Sequence, residues 1–232
     1  MKNILLIILL VSSYSISAQN NSELKKHFEA YYEQMKAQGD VQGIINSLTH
    51  LNVISPSKTR QDTLAYIYMS EGKYIQALNT IGIDANPSDS DMAVEVKALS
   101  LKSINQPERA FPHFEEMFKR NPNANTAYEL AELSLTLNKF EEATTHINYG
   151  ITHVTNDMNR AFYETQKPYQ VSLKAAFLYL KGLVKFNENK TTNIDVAVAI
   201  FDQALAIAPN FNLAKISKDA LLAQKNQNEK KN

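Results

Sequence analysis

The feature that most limits what this chain can fold into is a period of 33 residues. Ala65, Ala98 and Ala131 recur at that interval, as do Ala77, Ala110 and Ala143, and Ile81, Phe114 and Ile147. Within each unit the two alanines stand 12 apart, and the larger apolar residue follows four positions later. A later stretch, Ala197, Phe201, Ala204 and Pro209, repeats the offsets of Ala110, Phe114, Met117 and Pro122. Spacings that agree over several units mark an internal repeat. Such units stack, because one alone cannot bury its apolar face.

Each unit reads as two amphipathic helices. Leu64, Ala65 and Tyr68 follow the i, i+3, i+4 rule of one helical face, as do Ala98 and Leu101. Glu71-Gly72-Lys73, Asn105-Gln106-Pro107 and Asn138-Lys139 interrupt the pattern with turn residues or helix starts. Second helices are predicted over 74–81, 108–117 and 140–151, and Asn86-Pro87 and Asn121-Pro122 stop the turn that follows. Small residues let helix backbones approach closely, and a large apolar residue fills the neighbouring hole. With 6 Gly, 7 Pro and no Cys, the composition favours helices over a turn-rich β fold. The absence of Cys excludes disulfides, thiol catalysis and Cys-containing zinc sites.

These marks resemble the tetratricopeptide-repeat (TPR) family. The carriers are Leu64-Ala65, Tyr68, Gly72, Tyr74, Ala77 and Ile81, then Ala98, Leu101, Ala110, Phe114, Met117 and Pro122. Leu130-Ala131, Phe140, Ala143 and Ile147, and Lys181-Gly182, Ala197, Phe201, Ala204 and Pro209 continue the series. The family's repeat is about 34 residues long and usually carries Trp. Trp is absent here, and the central units are one residue short. The resemblance implies an all-α, right-handed superhelical solenoid of about five helix hairpins with a C-terminal capping helix. A degenerate first hairpin is expected over 19–57, where Tyr31 and Gly43 stand 34 residues before Ala65 and Ala77. Three repeats over 58–157, an inserted segment over 158–174 and a fourth full repeat over 175–210 follow. Leu213, Ile216, Ala220 and Leu221 give one apolar side to a capping helix over 211–226, ahead of a polar tail over 227–232.

Two irregularities interrupt the array. Gly182 and Ala197 are 15 apart instead of 12, which predicts a longer turn over 189–193. Between His153 and Val171, Pro168 forbids one continuous helix. Two readings of that stretch are open. One is a longer second helix followed by a surface loop. The other is a partner-contacting loop presenting Arg160, Phe162, Tyr163 and Tyr169, residue types that dominate interface energies.

The N-terminus carries an address. Lys2 precedes an apolar run from Ile4 to Val11, and small or polar residues lead to Ala18. That is the pattern of a secretory signal peptide over 1–18, cleaved after Ala18. The run spans about 12 Å as a helix, well short of a membrane's hydrocarbon core of about 30 Å. Export to the periplasm, or full secretion, is therefore expected, with no stable membrane insertion after cleavage. Lys and Arg total 24 against 24 Asp and Glu, without the basic excess of a nucleic-acid binder.

No constellation for catalysis, metal or cofactor is legible. His27, His50, His113, His146 and His153 stand without HExxH spacing. Glu115-Glu116 and Glu141-Glu142 point about 100° apart on a helix. Asp84, Asp89 and Asp91 lack the order of a calcium loop. The phosphate-cradling glycine loops and the GxSxG turn are also missing. An enzyme is not expected.

In the family this chain resembles, the first helices of successive units line a concave groove that receives a peptide. Projecting the first helices implies Phe28, Tyr32 and Met35, then Tyr66 and Met69, then Leu99. Tyr128 and Leu135 follow, then Tyr179, Leu183 and Phe186. The implied function is noncovalent protein or peptide binding along a Tyr-lined groove. The alternative is a structural subunit of a cell-envelope complex, contacting through its convex face or the 153–171 loop. A carboxylate clamp for chaperone tails does not fit, since only Lys25, Lys36 and Lys102 are basic there, with Asp62 and Glu95 nearby.

Overall fold

Two chemical punctuation marks, each recurring every 33 residues, cut the chain into its helices. Ser57, Ser90 and Asn123 are N-caps whose side chains accept from the amides of Arg60, Ala93 and Thr126. Each satisfies one of the donors that a helix start leaves unpaired. Gly72, Asn105 and Asn138 are left-handed, with φ of 69°, 58° and 57°, and Gly39 matches them at 69°. A left-handed residue there closes the helix, since Lys73 N then reaches Tyr68 O at 2.8 Å and Lys139 N reaches Ser134 O at 2.8 Å. Gly and Asn are the residues that enter this conformation at least cost.

The computed structural model describes residues 21–229, so the segment 1–18 assigned to export lies outside the described residues. The chain divides into two compact units, the first ending at Asn105 and the second beginning at Gln106. In the first, α1 covers 21–38. It is followed by α2 (Val41–Ile54), α3 (Lys58–Ser70), α4 (Tyr74–Ile81) and α5 (Asp91–Ser103). Its core gathers Ile45, Leu48 and Leu64 beside Tyr32, Ile67 and Tyr68, and then Ala65, Ala77 and Val96 beside Met69 and Ile81. The second unit holds α6 (Pro107–Arg120), α7 (Ala124–Thr136), α8 (Phe140–His153), β1 (Asn159–Phe162), β2 (Tyr169–Ser172), α9 (Leu173–Glu188), α10 (Ile194–Ile207) and α11 (Asn212–Glu229). One cluster joins Tyr128, Ala131, Ile147, Val171, Leu173, Phe177 and Phe211. The six alanines that define the period are all fully buried, with 0% of their surface exposed. That is the close helix approach their spacing implies.

The inserted segment departs from the expectation of a longer helix with a surface loop. Helix α8 ends at His153, and β1 and β2 form an antiparallel hairpin in the register Asn159↔Ser172 to Phe162↔Tyr169. Phe162, Tyr169 and Val171 favour strands, and alternation sets Arg160 and Phe162 on one side of β1. Strand β2 runs straight into α9, because Ser172 caps that helix by accepting from Ala175 N. Leu173 N donates to Met158 O at 2.8 Å and closes the base of the hairpin. The turn between α9 and α10 over 189–193 agrees with its spacing, and Asn189 accepts from the amides of Thr191 and Thr192. In α11, Leu221 is buried as expected but Ile216 is 54% exposed, and Phe211 just ahead of the helix is fully buried instead.

Candidate functional site

Helix α1 spends its apolar stripe on packing. Phe28 stacks on His50 of α2, with ring centroids 4.3 Å apart. Tyr32 joins the core beside Ile45, Leu48 and Leu64, and Met35 is buried. Met35 is thereby placed in the core, whereas Phe28 and Tyr32 stay half-buried along the same stripe.

On α3 and α5 the first-helix face is open within the first unit. Tyr66 is 41% exposed, and Met92, which the sequence projection missed, is 38% exposed. Leu99 is half-buried, while Met69 packs on Ala65, Ala77 and Val96. Met92, Glu95 and Leu99 fall at i, i+3 and i+7, so helical spacing was the signal that marked Met92. Asp62 is structural: its Oδ2 accepts from Ser90 Oγ at 2.7 Å and ties α3 to the cap of α5.

Beside this face lies a cleft of about 390 Å³ lined by Lys58, Gln61, Asp62, the 81–86 turn, Asp89 and Lys97. Lys97 occupies the repeat position that Leu64 and Leu130 fill in neighbouring units, and it is equally buried. Its Nζ donates to Asp89 Oδ2 at 2.6 Å and to Asp84 O at 2.8 Å. Lys58 Nζ stands 3.6 Å from Asp89 Oδ1 and donates to Ser88 O at 2.6 Å. Burial pushes the Asp89 carboxyl up. The Lys97 hydrogen bond and charge, the Asn86 amide and the Lys58 charge outweigh that and hold it below the usual carboxylate range. The Lys58, Lys97 and Asp89 charges fix the turn before α5.

In the second unit the corresponding face is covered by the hairpin. Tyr128 is 1% exposed and lies edge-on to Phe177 at 5.3 Å. The Arg160 guanidinium sits 3.9 Å over the Tyr128 ring, and Arg160 Nη1 donates to Glu129 Oε1 at 2.9 Å. Its Nη2 lies 3.7 Å from Glu132 Oε2. Burial, then the charge of Glu132, pushes the Tyr128 hydroxyl far above its ordinary range. Phe162 stacks with Tyr169 at 5.8 Å and leans on Phe211 at 4.8 Å. Tyr169 donates to Glu164 Oε1 at 2.5 Å, and burial, then that bond, raises its hydroxyl to about 12.

Four of the remaining projected residues are half-buried at the edges of the clusters. Leu135, Tyr179 and Leu183 pack against the main cluster, and Phe186 packs against Ile194, Ala197, Phe201 and Leu221. Tyr128 is corrected from groove contact to buried platform, because Arg160 has taken its open face. Arg160, Phe162 and Tyr169 dock the hairpin, and Tyr163 alone of the four loop residues is exposed, at 75%. Among the described residues, no group of three His, Cys, Asp or Glu is placed to hold a metal ion. None of the described helices is long and apolar enough to cross a membrane.

No known protein family matches the sequence, and no curated protein matches it. Solved structures do. YrrB, a TPR protein with an unusual peptide-binding site, is 13% identical over 89% of this chain and 97% of its own, with a TM-score of 0.66. A tetratricopeptide repeat protein from Parabacteroides merdae ATCC 43184 is 14% identical over 90% of this chain and 76% of its own, with a TM-score of 0.61. MamA is 17% identical over 80% of this chain and 92% of its own, with a TM-score of 0.58. At such identities the likeness concerns the fold, which is the all-α helical solenoid of TPR proteins.

Proposed function

We propose that the chain is an exported, non-enzymatic module that binds a protein or peptide on the α3–α5 face. One observation carries the reading. Tyr66 and Met92 are exposed beside the half-buried Leu99, on first helices whose other apolar residues are half-buried or buried against the core. An aromatic with a hydroxyl beside two flexible apolar side chains suits a peptide or an amphipathic helix. The peptide-binding site of YrrB, on the same fold, supports the assignment to protein binding. Export rests on the pattern over 1–18, and mass spectrometry of the mature chain should find Gln19 at its N-terminus.

A second reading, an assembly subunit gripped through the hairpin, rests on the exposure of Tyr163 at the tip. Affinity capture with residues 19–232 separates the two, using the native chain beside Tyr66→Glu and Tyr163→Glu. Both positions are exposed, so each substitution should leave stability within about 0.5 kcal/mol. Loss of a specific partner only with Tyr66→Glu supports the α3–α5 face. Loss only with Tyr163→Glu transfers the contact to the hairpin.

A further inference from the structure

The hairpin does more than fill space. Its two strands are buried alike but for one residue, Val171, and they differ in how they join the helices on either side. On β2, Val171 is 3% exposed in the main core, and the chain continues into α9 without a linker. No residue of β1 is buried: Asn159 is exposed and Arg160, Ala161 and Phe162 are half-buried. What holds β1 is its pairing to β2, the Arg160 contacts with Tyr128, Glu129 and Glu132, and Phe162 on Phe211. These are the elements of strand-addition recognition: main-chain pairing for affinity and alternate side chains in pockets for specificity.

We propose that β2 with the α7 face is a binding site for an extended segment carrying Arg and an aromatic two residues later, and that β1 is its resident occupant. An incoming segment pairs antiparallel to β2 in the register of β1. Its Arg lies on the Tyr128 ring between Glu129 and Glu132, and its aromatic lies on Phe211. The paired acids select the cation, since an acidic residue there would face two like charges. Residues 159–168 then loop out, while the bond from Leu173 N to Met158 O keeps the base closed. The resident strand lowers the apparent affinity for any competitor by the fraction of time it occupies the site. The site therefore responds only to a partner present at high local concentration or bound nearby. It lies wholly in the second unit and does not depend on the α3–α5 reading.

The probe is a fluorescein-labelled peptide with the sequence of residues 159–164, followed by anisotropy against the full mature chain. The absence of Cys allows a clean lock: Ala161 and Gln170 are opposite in the register, so Ala161→Cys with Gln170→Cys ties β1 to β2 by a single disulfide. The proposal expects binding to the reduced form, none to the oxidised form, and none by a peptide with Glu in place of its Arg. It also expects Arg160→Ala with Phe162→Ala to bind the peptide at least about tenfold more tightly than the native chain. Equal signals from oxidised and reduced protein overturn it, as does equal binding of the Glu peptide. An open variant that keeps its helical circular dichroism yet ignores the peptide also overturns it. Should that variant unfold, the disulfide pair decides alone.

Discussion

Replacing Lys97 by Met removes a buried cation while keeping an unbranched apolar stem of similar length. The structure fixes the size of the effect. Lys97 and Asp89 side chains are 2% and 6% exposed and 2.6 Å apart. Deleting one member of a buried pair typically costs about 3–5 kcal/mol, because the other charge is left uncompensated. Lys58, half-exposed at 3.6 Å, remains to offset part of that loss, so about 2–4 kcal/mol is expected. Asp89→Asn in the Lys97→Met background removes the stranded charge and should return stability to within about 1 kcal/mol of native. Repeat arrays need not unfold as one unit, so the readout is native-state hydrogen exchange of the α5 amides. At 1.36 kcal/mol per decade, exchange should accelerate roughly 30- to 900-fold in the single variant. Because the folded Asp89 pKa lies below the ordinary 3.8, the pair's contribution is present above that pH and fades as pH falls through the folded value. In Asp89→Asn the fading is absent. A Lys97→Met variant within about 0.5 kcal/mol of native, or a double variant less stable than the single, would show that the buried pair does not hold the turn.

Gly150→Ala should cost at least about 1 kcal/mol more than Gly43→Ala in thermal melts. A Cβ at Gly150 overlaps the fully buried Phe177 ring, whereas at Gly43 it meets the flexible Met35 side chain and the Asp40 carboxylate, and Ala adds helix propensity. Asn138→Ala should lose about 1 kcal/mol and Asn138→Gly should not, since φ there is 57°; urea titration distinguishes them. Arg160→Lys should destabilise the hairpin measurably despite keeping its charge, because Lys lacks the planar fork that both stacks on Tyr128 and bonds Glu129. Exchange of the 159–162 amides reports it.

The helical repeat was legible because helix packing writes itself into small-residue spacing. The turns were equally legible at Gly72, Asn105 and Asn138, and the caps Ser57, Ser90 and Asn123 carry the same period. The hairpin was not legible. Four-residue strands give almost no periodic signal, and what fixes Arg160 is a pair of acids 28 and 31 positions earlier in sequence. The exposure of the projected groove residues was only partly legible, for a related reason. Helical spacing tells which residues share a stripe, and only the neighbouring elements decide whether core, hairpin or solvent meets it. Met35 met the core, Tyr128 met Arg160, and Tyr66 met solvent.

The most direct test of partner binding on the α3–α5 face is site-specific photocrosslinking in intact cells, with benzoylphenylalanine placed at Tyr66, Leu99 or Tyr163 in turn. Binding on that face gives the same discrete adduct from positions 66 and 99 and none from 163. An adduct from 163 alone would contradict it.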